Sequence, residues 1–486
     1  MPTLLTLLVF LLTPLAARSQ DAPLPRREFR AVWVATVNNI DWPSRKGLPT
    51  AAAQAELRQI VEQAAVLRLN AIVFQVRPSG CAFYRSDLEP WSEWLTGAQG
   101  KAPVPAWDPL AFLIEEAHPR GIEVHAWCNP YRARHPSAKS TEAADHILRR
   151  EPSACVPYGK YRWMDPGDPR TADWSLRVMA DLVRRYDIDG IHLDDYFYPY
   201  PEKGRSFPDD RSYQRYRKRG GTRPRADWRR ANVNAFVRRL YEQTHDIKGW
   251  VKVGISPFGI ARPGLPKGIV AGIDQYQDLS ADVLGWLRDG LCDYLAPQLY
   301  WPIDQKAQSF AVLLPWWCAQ PRQQRHIWPG ISASRAADGK RPWRRTELPQ
   351  QIRMIRAQNP PDPGHIHFSF RALQATQNGL TRQLLRQSYQ QAAPVPACPW
   401  LPAEAAGRPE VALQQRQGDV LAKVRCSPTA RFYCVQTLVN RRWHTHAVRG
   451  HDRSLVVLPR GTTRITVREL ANNGLAGPAV SLAVAP

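Results

Sequence analysis

What this chain lacks narrows its chemistry first. Its 486 residues include only eight cysteines, the first at Cys81, and no two form a Cys-x-x-Cys pair. That spacing argues against a structural zinc or a dense disulfide framework. Cys426 and Cys434 lie close enough to bridge across a hairpin, and the other six read as buried free thiols. No glycine-rich phosphate loop, dinucleotide fingerprint or metal-ligand cluster occurs, so no cofactor and no metal are expected. A run long enough to span a bilayer is also missing. The strongest apolar run, Leu4–Leu12, precedes Pro14 and Ala16-Ala17, which is the layout of a signal peptide over residues 1–20 without the usual positive start. Export to a periplasm or beyond is the expectation, with no stable membrane insertion.

Acidic residues are in short supply. Lys and Arg number 66 against 43 Asp and Glu, a formal net charge of +23. Such a surplus suits nucleic acid, anionic lipid or acidic polymers. An export signal fits nucleic acid poorly and acidic envelope glycans better. A GC-rich genome, which favours arginine everywhere, would produce the same surplus with no partner at all.

What is present is a long alternation. Strand-like runs fall at Arg30–Val37, Ala71–Val76, Glu123–Cys128, Gly190–Asp195, Val251–Ser256, Tyr294–Tyr300, Ile327–Ser332 and His365–Phe370. Helical periodicity lies between them, as in Ala51–Leu69, Pro109–Arg120, Ala172–Tyr186, Ala231–His245, Leu348–Gln358 and Ala375–Gln391. Eight such units predict an α/β fold, a (β/α)8 TIM barrel over residues 28–391. A Pro/Ala linker (392–407) and a small β-sandwich of fibronectin or immunoglobulin type (408–486) follow, the latter a passive or a carbohydrate-binding module.

Barrel sites lie where strands end. The run Asp189-Gly-Ile-His-Leu-Asp-Asp-Tyr-Phe-Tyr-Pro199 closes a buried strand with two acids and an aromatic loop. With alternate residues on opposite sides, Asp194 points inward with His192, whereas Asp195 joins it only if the strand bends there. Glycosidic cleavage needs a proton donor and a second group that attacks or activates an attacker. Asp194 and Asp195 are therefore the catalytic candidates. Aromatics beside them would raise a carboxyl pKa toward that of a general acid, and Arg77, if it reaches the pair, would keep one carboxylate ionised. Other inward strand ends add Gln75, Arg77, Trp127, Asn129, His192, Ser256, Gln298 and Tyr300 as sugar-binding candidates. Tyr131, Tyr196, Tyr198, Phe258 and Trp301 are aromatic candidates for subsite floors, as are Trp91 and Trp94. The Arg/Lys-rich loop Glu202–Arg230 reads either as a solvated charged loop or as a platform for an anionic polymer.

Several segments resemble the glycosyl-hydrolase-10-like family, a (β/α)8 group distinct from xylanases. They are Phe29-Arg-Ala-Val-Trp-Val-Ala35, Gln75-Val-Arg-Pro78 with Ala82-Phe-Tyr84, Pro90-Trp-Ser92, Leu95-Thr-Gly97 and His125-Ala-Trp127 with Asn129-Pro-Tyr-Arg132. Asp194-Asp-Tyr-Phe-Tyr-Pro199, Ile255-Ser-Pro-Phe-Gly259 and Ala296-Pro-Gln-Leu-Tyr-Trp301 complete the set, in order along the barrel. The resemblance implies an exported bacterial glycosidase acting on peptidoglycan strands stripped of their peptides, a polymer of N-acetylglucosamine and N-acetylmuramic acid. One departure stands out: the family commonly has Asp where this chain has Cys81. That leaves a glycan-binding pseudoenzyme, or a hydrolase of another polysaccharide, as alternatives. Tyr196 occupies the place of the acidic Glu of chitinase-like barrels, so their acid cannot be carried over unchanged.

Overall fold

The structure, a computed structural model, describes residues 22–337, 343–374, 379–450 and 454–485. The segment expected to be a signal peptide and residues 375–378 of the last expected barrel helix lie outside them. A nine-stranded parallel sheet organises residues 29–367. Its strands are β1 (Phe29–Val34), β2 (Ala71–Arg77), β3 (Glu123–Cys128), β4 (Gly190–Leu193), β5 (Lys252–Ile255), β6 (Tyr294–Leu295), β7 (His326–Ile327), β8 (Gly330–Ile331) and β9 (Gly364–His367). They run in the order β7-β6-β5-β4-β3-β2-β1-β9-β8.

The two end strands, β7 and β8, are halves of one segment that the sequence reads as a single strand. Pro329, which has no N–H to give a ladder, separates them. Trp328 N donates to Leu295 O at 2.9 Å on one side, and Ile366 N donates to Pro329 O at 3.0 Å on the other. The sheet thus curls until its ends meet in that segment. Helices including Thr50–Val66, Pro109–Ala117, Pro169–Arg185, Arg225–Ile247 and Glu347–Gln358 pack on its outer face. The start of Pro109–Ala117 is fixed locally. Asp108 Oδ1 accepts from the Leu110 and Ala111 amides at 3.0 Å, and a proline follows at the first helical position.

The period-two reading separates two apolar layers. Val32, Val34, Ile72, Phe74, Val124, Ile191, Leu193 and Val253 face the helices. Phe29, Ala31, Trp33, Val73, Trp127, Tyr294 and Trp328 fill the interior of the curl. Two glycines make room for bulky interior rings: a Cβ on Gly190 would come within 2.7 Å of the His125 ring, and one on Gly254 within 2.0 Å of Tyr294.

Residues 410–483 form two small antiparallel sheets, one of three strands and one of four, whose side chains share an apolar cluster around Val424, Tyr433, Val435 and Ile465. The Pro/Ala-rich stretch before them has no regular structure, yet it is pinned. Trp400 Nε1 donates to Asp293 at 2.8 Å, and Cys398 N donates to Asn473 O at 2.8 Å. Arg431 grips the start of the acid-bearing strand, with Nε and Nη2 donating to Asp189 at 2.9 and 2.7 Å. This region therefore sits at the strand starts, away from the ends where Asp194 lies. Cys426 and Cys434 are both free thiols, so the hairpin bridge that their spacing allows is not formed.

Candidate active site

Strand β4 stops at Leu193, and Asp195 lies in a bend. The alternation ends before it can turn Asp195 outward, and both acids line one cavity of about 170 Å³ at the strand ends. Aromatic walls come from Trp33, Trp127, Tyr196, Tyr300 and Phe368, and polar edges from Gln75, Ser256 and Gln298. Both acids are nearly inaccessible, at 4% and 3% exposure for Asp194 and Asp195.

Their surroundings differ. Asp194 accepts from Asn129 Nδ2 at 3.0 Å and from Trp127 Nε1 at 3.2 Å. Burial raises its pKa, opposed by the Arg132 charge and by hydrogen bonds from Asn129, Trp127 and Tyr196. Asp195 accepts a hydrogen bond from the Tyr200 hydroxyl. Burial pushes it from 3.8 to about 7; Tyr200 opposes the rise and the neighbouring Asp194 charge adds to it. Donors aimed at a carboxylate favour its ionised form. The pair is thus differentiated, with Asp194 the better-supported anion and Asp195 the better proton carrier near neutrality.

The cation beside the pair is Arg132, not Arg77. Register along β2 slips between Gln75 and Arg77, so Gln75 pairs with Trp127 while Arg77 pairs with Cys128. This bulge at Val76 carries Arg77 out of the inward row into the helix-facing layer. There it donates to Glu89 through Nε (2.8 Å) and Nη2 (2.6 Å), and through Nη1 to the Asn129 carbonyl at 2.6 Å. Arg77 is fully buried and does not line the cavity, which corrects its expected part in sugar binding. Arg132 follows β3 and lies 4.6 Å over the Tyr196 ring. Asn129 supports it from behind: its Oδ1 accepts from the Tyr131 and Arg132 amides at 3.2 and 2.6 Å.

Other expected contacts need correction. Tyr131 is fully buried against Phe236, and Tyr198 against Phe207, because the chain past each strand end turns back onto the helix layer. Trp94 is buried too. His192 does point inward, but beneath the cavity, where both ring nitrogens are engaged. Trp33 Nε1 donates to its Nε2 at 3.2 Å, which leaves the proton on Nδ1, 2.9 Å from the Tyr294 hydroxyl. That hydroxyl is 2.8 Å from His125 Nδ1, His125 Nε2 is 3.0 Å from Glu123, and Lys252 donates to Glu123 at 3.0 Å. Burial pushes His192 well below its ordinary value, so it is a neutral acceptor that fixes the Trp33 ring. Phe258 and Trp301 pack edge-on at 5.7 Å, half-buried beside Gln298 and outside the lining.

Trp127, Tyr196, Ser256, Gln298, Tyr300 and Gln75 do meet at the cavity, and Asn129 reaches it through Asp194. The sequence reading gave no role to Trp33, Arg132, Tyr200 or Phe368. Trp33 sits on the inward row of β1 and Arg132 ends the Asn129-Pro-Tyr-Arg132 motif, so signals for both were present. Tyr200 and Phe368 depend on loop paths that no periodicity records. Cys81 is also absent from the lining. It is buried beside Ser92 and the Arg77–Glu89 pair, and burial pushes its thiol up to about 12. Among the described residues no cluster of three or more His, Cys, Asp or Glu is placed to hold a metal, and no helix is long and apolar enough to cross a membrane.

A family model described as glycosyl hydrolase-like 10 matches residues 28–341. A protein named glycosyl hydrolase YngK, from Bacillus subtilis (strain 168), is 37% identical over 411 residues, covering 81% of this chain and 79% of its own length. Glycosyl hydrolase DigH of Escherichia coli (strain K12) is 34% identical over 322 residues, 62% of this chain and 71% of that protein. Among solved structures, alpha-L-fucosidase isoenzyme 2 from Paenibacillus thiaminolyticus matches with a TM-score of 0.46 and 14% identity, over 75% of this chain and 49% of that one.

Proposed function

Since the chain belongs to the glycosyl hydrolase-like 10 family, we propose that it hydrolyses glycosidic bonds in an N-acetylhexosamine polymer, the glycan strands of peptidoglycan. We read the curled sheet as a (β/α)8 barrel, the two C-terminal sheets as a sandwich, and the protein as exported to the periplasm or beyond. The observation that carries the reading is the unequal acid pair in an aromatic-walled cavity. Asp195, with its pKa pushed up to about 7, carries a proton in about half of the molecules at neutral pH and gives it to the leaving oxygen. Asp194, steadied by Asn129 and Trp127, supplies the negative charge that an oxocarbenium-like transition state needs.

Trp127, Tyr196 and Tyr300 offer flat faces to the apolar side of a sugar ring, and Gln298 and Ser256 offer polar edges. The cavity is smaller than the roughly 300–1,000 Å³ of a typical ligand cleft, so it holds the reacting residue and leaves the rest of the strand to the rim. A net charge of +23 favours a polymer bearing lactyl carboxylates. The pseudoenzyme alternative rested on Cys81, and that residue stands apart from the lining. The test is to give the purified protein peptide-free glycan strands and count new reducing ends. Production by wild type and loss in Asp194→Asn support the assignment; equal product from both excludes it.

A further inference from the structure

One buried group in the cavity is unspent. Gln75 is fully buried and lines the cavity, and its amide orientation is fixed by its neighbours. Oε1 accepts from the Thr36 amide at 3.0 Å and the Val37 amide at 2.9 Å, two donors that an NH2 group could not satisfy. Nε2 therefore faces away from them, and it has no hydrogen-bond partner among the described residues. A buried donor left without an acceptor costs free energy, so a ligand oxygen is the natural partner.

The surface beside it is small and apolar: Ala35, Val37 and Ile40, all from the loop that follows β1. That loop is held in place before any ligand arrives. Asp41 accepts from the Ala35 amide at 2.8 Å and from Ser369 Oγ at 2.7 Å, and Asn39 Nδ2 donates to the Pro43 and Trp94 carbonyls at 2.9 Å. A fixed neutral donor next to a short apolar wall matches a carbonyl oxygen with a methyl beside it. A carboxylate is disfavoured, because Asp194 and Asp195 share the cavity and no Lys or Arg among the described residues lines it; Arg132, beside the acid pair, is not in the lining.

We infer that Gln75, with the wall of Val37 and Ile40, forms the subsite that selects N-acetylated sugars by binding the acetamido group. Gln75 Nε2 donates to its carbonyl, and its methyl rests on the wall. The inference rests on the glycosidase reading for its substrate class, but binding decides it separately from cleavage. A site built around a donor rejects a ligand lacking the acceptor far better than an apolar wall rejects one lacking a methyl.

The experiment uses three neutral β-1,4-linked oligomers, of N-acetylglucosamine, N-propionylglucosamine and glucose, titrated calorimetrically into the full chain carrying Asp195→Asn to prevent turnover. The N-acetyl oligomer is expected to bind roughly 10- to 100-fold more tightly than the glucose oligomer. Gln75→Glu keeps the oxygen that Thr36 and Val37 need and removes the amide donor; at pH 8 it should abolish most of that preference, the N-acetyl oligomer losing far more affinity than the glucose oligomer. The second variant does not touch Gln75. The N-propionyl oligomer should bind about tenfold more weakly than the N-acetyl one, and Ile40→Ala should restore it. Equal affinity for all three oligomers, or an equal loss for all three in Gln75→Glu, overturns the inference. Failure to cut any glycan, with the binding preference intact, would overturn the hydrolase reading and leave this one standing.

Discussion

Replacing Asp195 by Asn should stabilise the protein at alkaline pH while abolishing activity. Burial raises this carboxyl from 3.8 to about 7, so the native state pays to hold it ionised. The sign follows from linkage: a group whose folded pKa lies above its unfolded value stabilises the fold when protonated and loses that contribution as pH rises through the folded value. At about 1.4 kcal/mol per pKa unit, the native carboxylate costs about 4 kcal/mol above pH 7 relative to an unfolded chain that ionises freely. Asparagine carries no charge and can still accept from Tyr200. With an unfolding entropy of about 2.1 cal/mol/K per residue, a chain of this size would gain about 4 °C in Tm if it melts as one unit. Scanning calorimetry of wild type and Asp195→Asn at pH 4 and pH 8 reads this directly. The variant should melt at about the wild-type temperature at pH 4 and several degrees higher at pH 8. A variant that is equally destabilised at both values would mean that Asp195 is a well-paired anion, and the general-acid assignment would fall with it.

Three further outcomes follow from the same geometry. Arg132 lowers the pKa of both acids, so Arg132→Gln should move both limbs of the pH–rate profile to higher pH; an unchanged profile would place Arg132 outside the site's electrostatics. Arg77→Met should cost about 3–5 kcal/mol by leaving Glu89 buried and unpaired, with KM of the folded fraction unchanged. A large rise in KM without loss of stability would return Arg77 to the substrate. Arg431→Met should likewise lower the melting temperature, by taking the arginine from buried Asp189, and leave kcat intact, since the C-terminal sheets dock at the strand starts.

Much of the curled sheet was legible because its two faces carry different residues. Helix-facing Val32, Ile72 and Leu193 alternate with interior Trp33, Val73 and His192. The alternation failed where the backbone departs from it. The bulge at Val76 reversed Arg77, and the early end of β4 brought Asp195 to the cavity, two displacements of one residue with opposite consequences for the site. Beyond strand ends the period carries no information, so Tyr131 and Tyr198, placed at the rim by chain position, proved to be packing residues. The division of labour between the two aspartates was not legible either. It arises from side chains far away in sequence: Asn129 and Trp127 hold Asp194, and these come from β3 and the turn after it.

If water cleaves a glycosidic bond at Asp194 and Asp195, its oxygen must enter the product. Digestion of peptide-free glycan strands in H2-18O, followed by mass spectrometry of the fragments, tests it most directly. Wild type should place one 18O atom on each new reducing end, and Asp194→Asn or Asp195→Asn should yield no fragments. Fragments without 18O, or undiminished fragments from either variant, would contradict it.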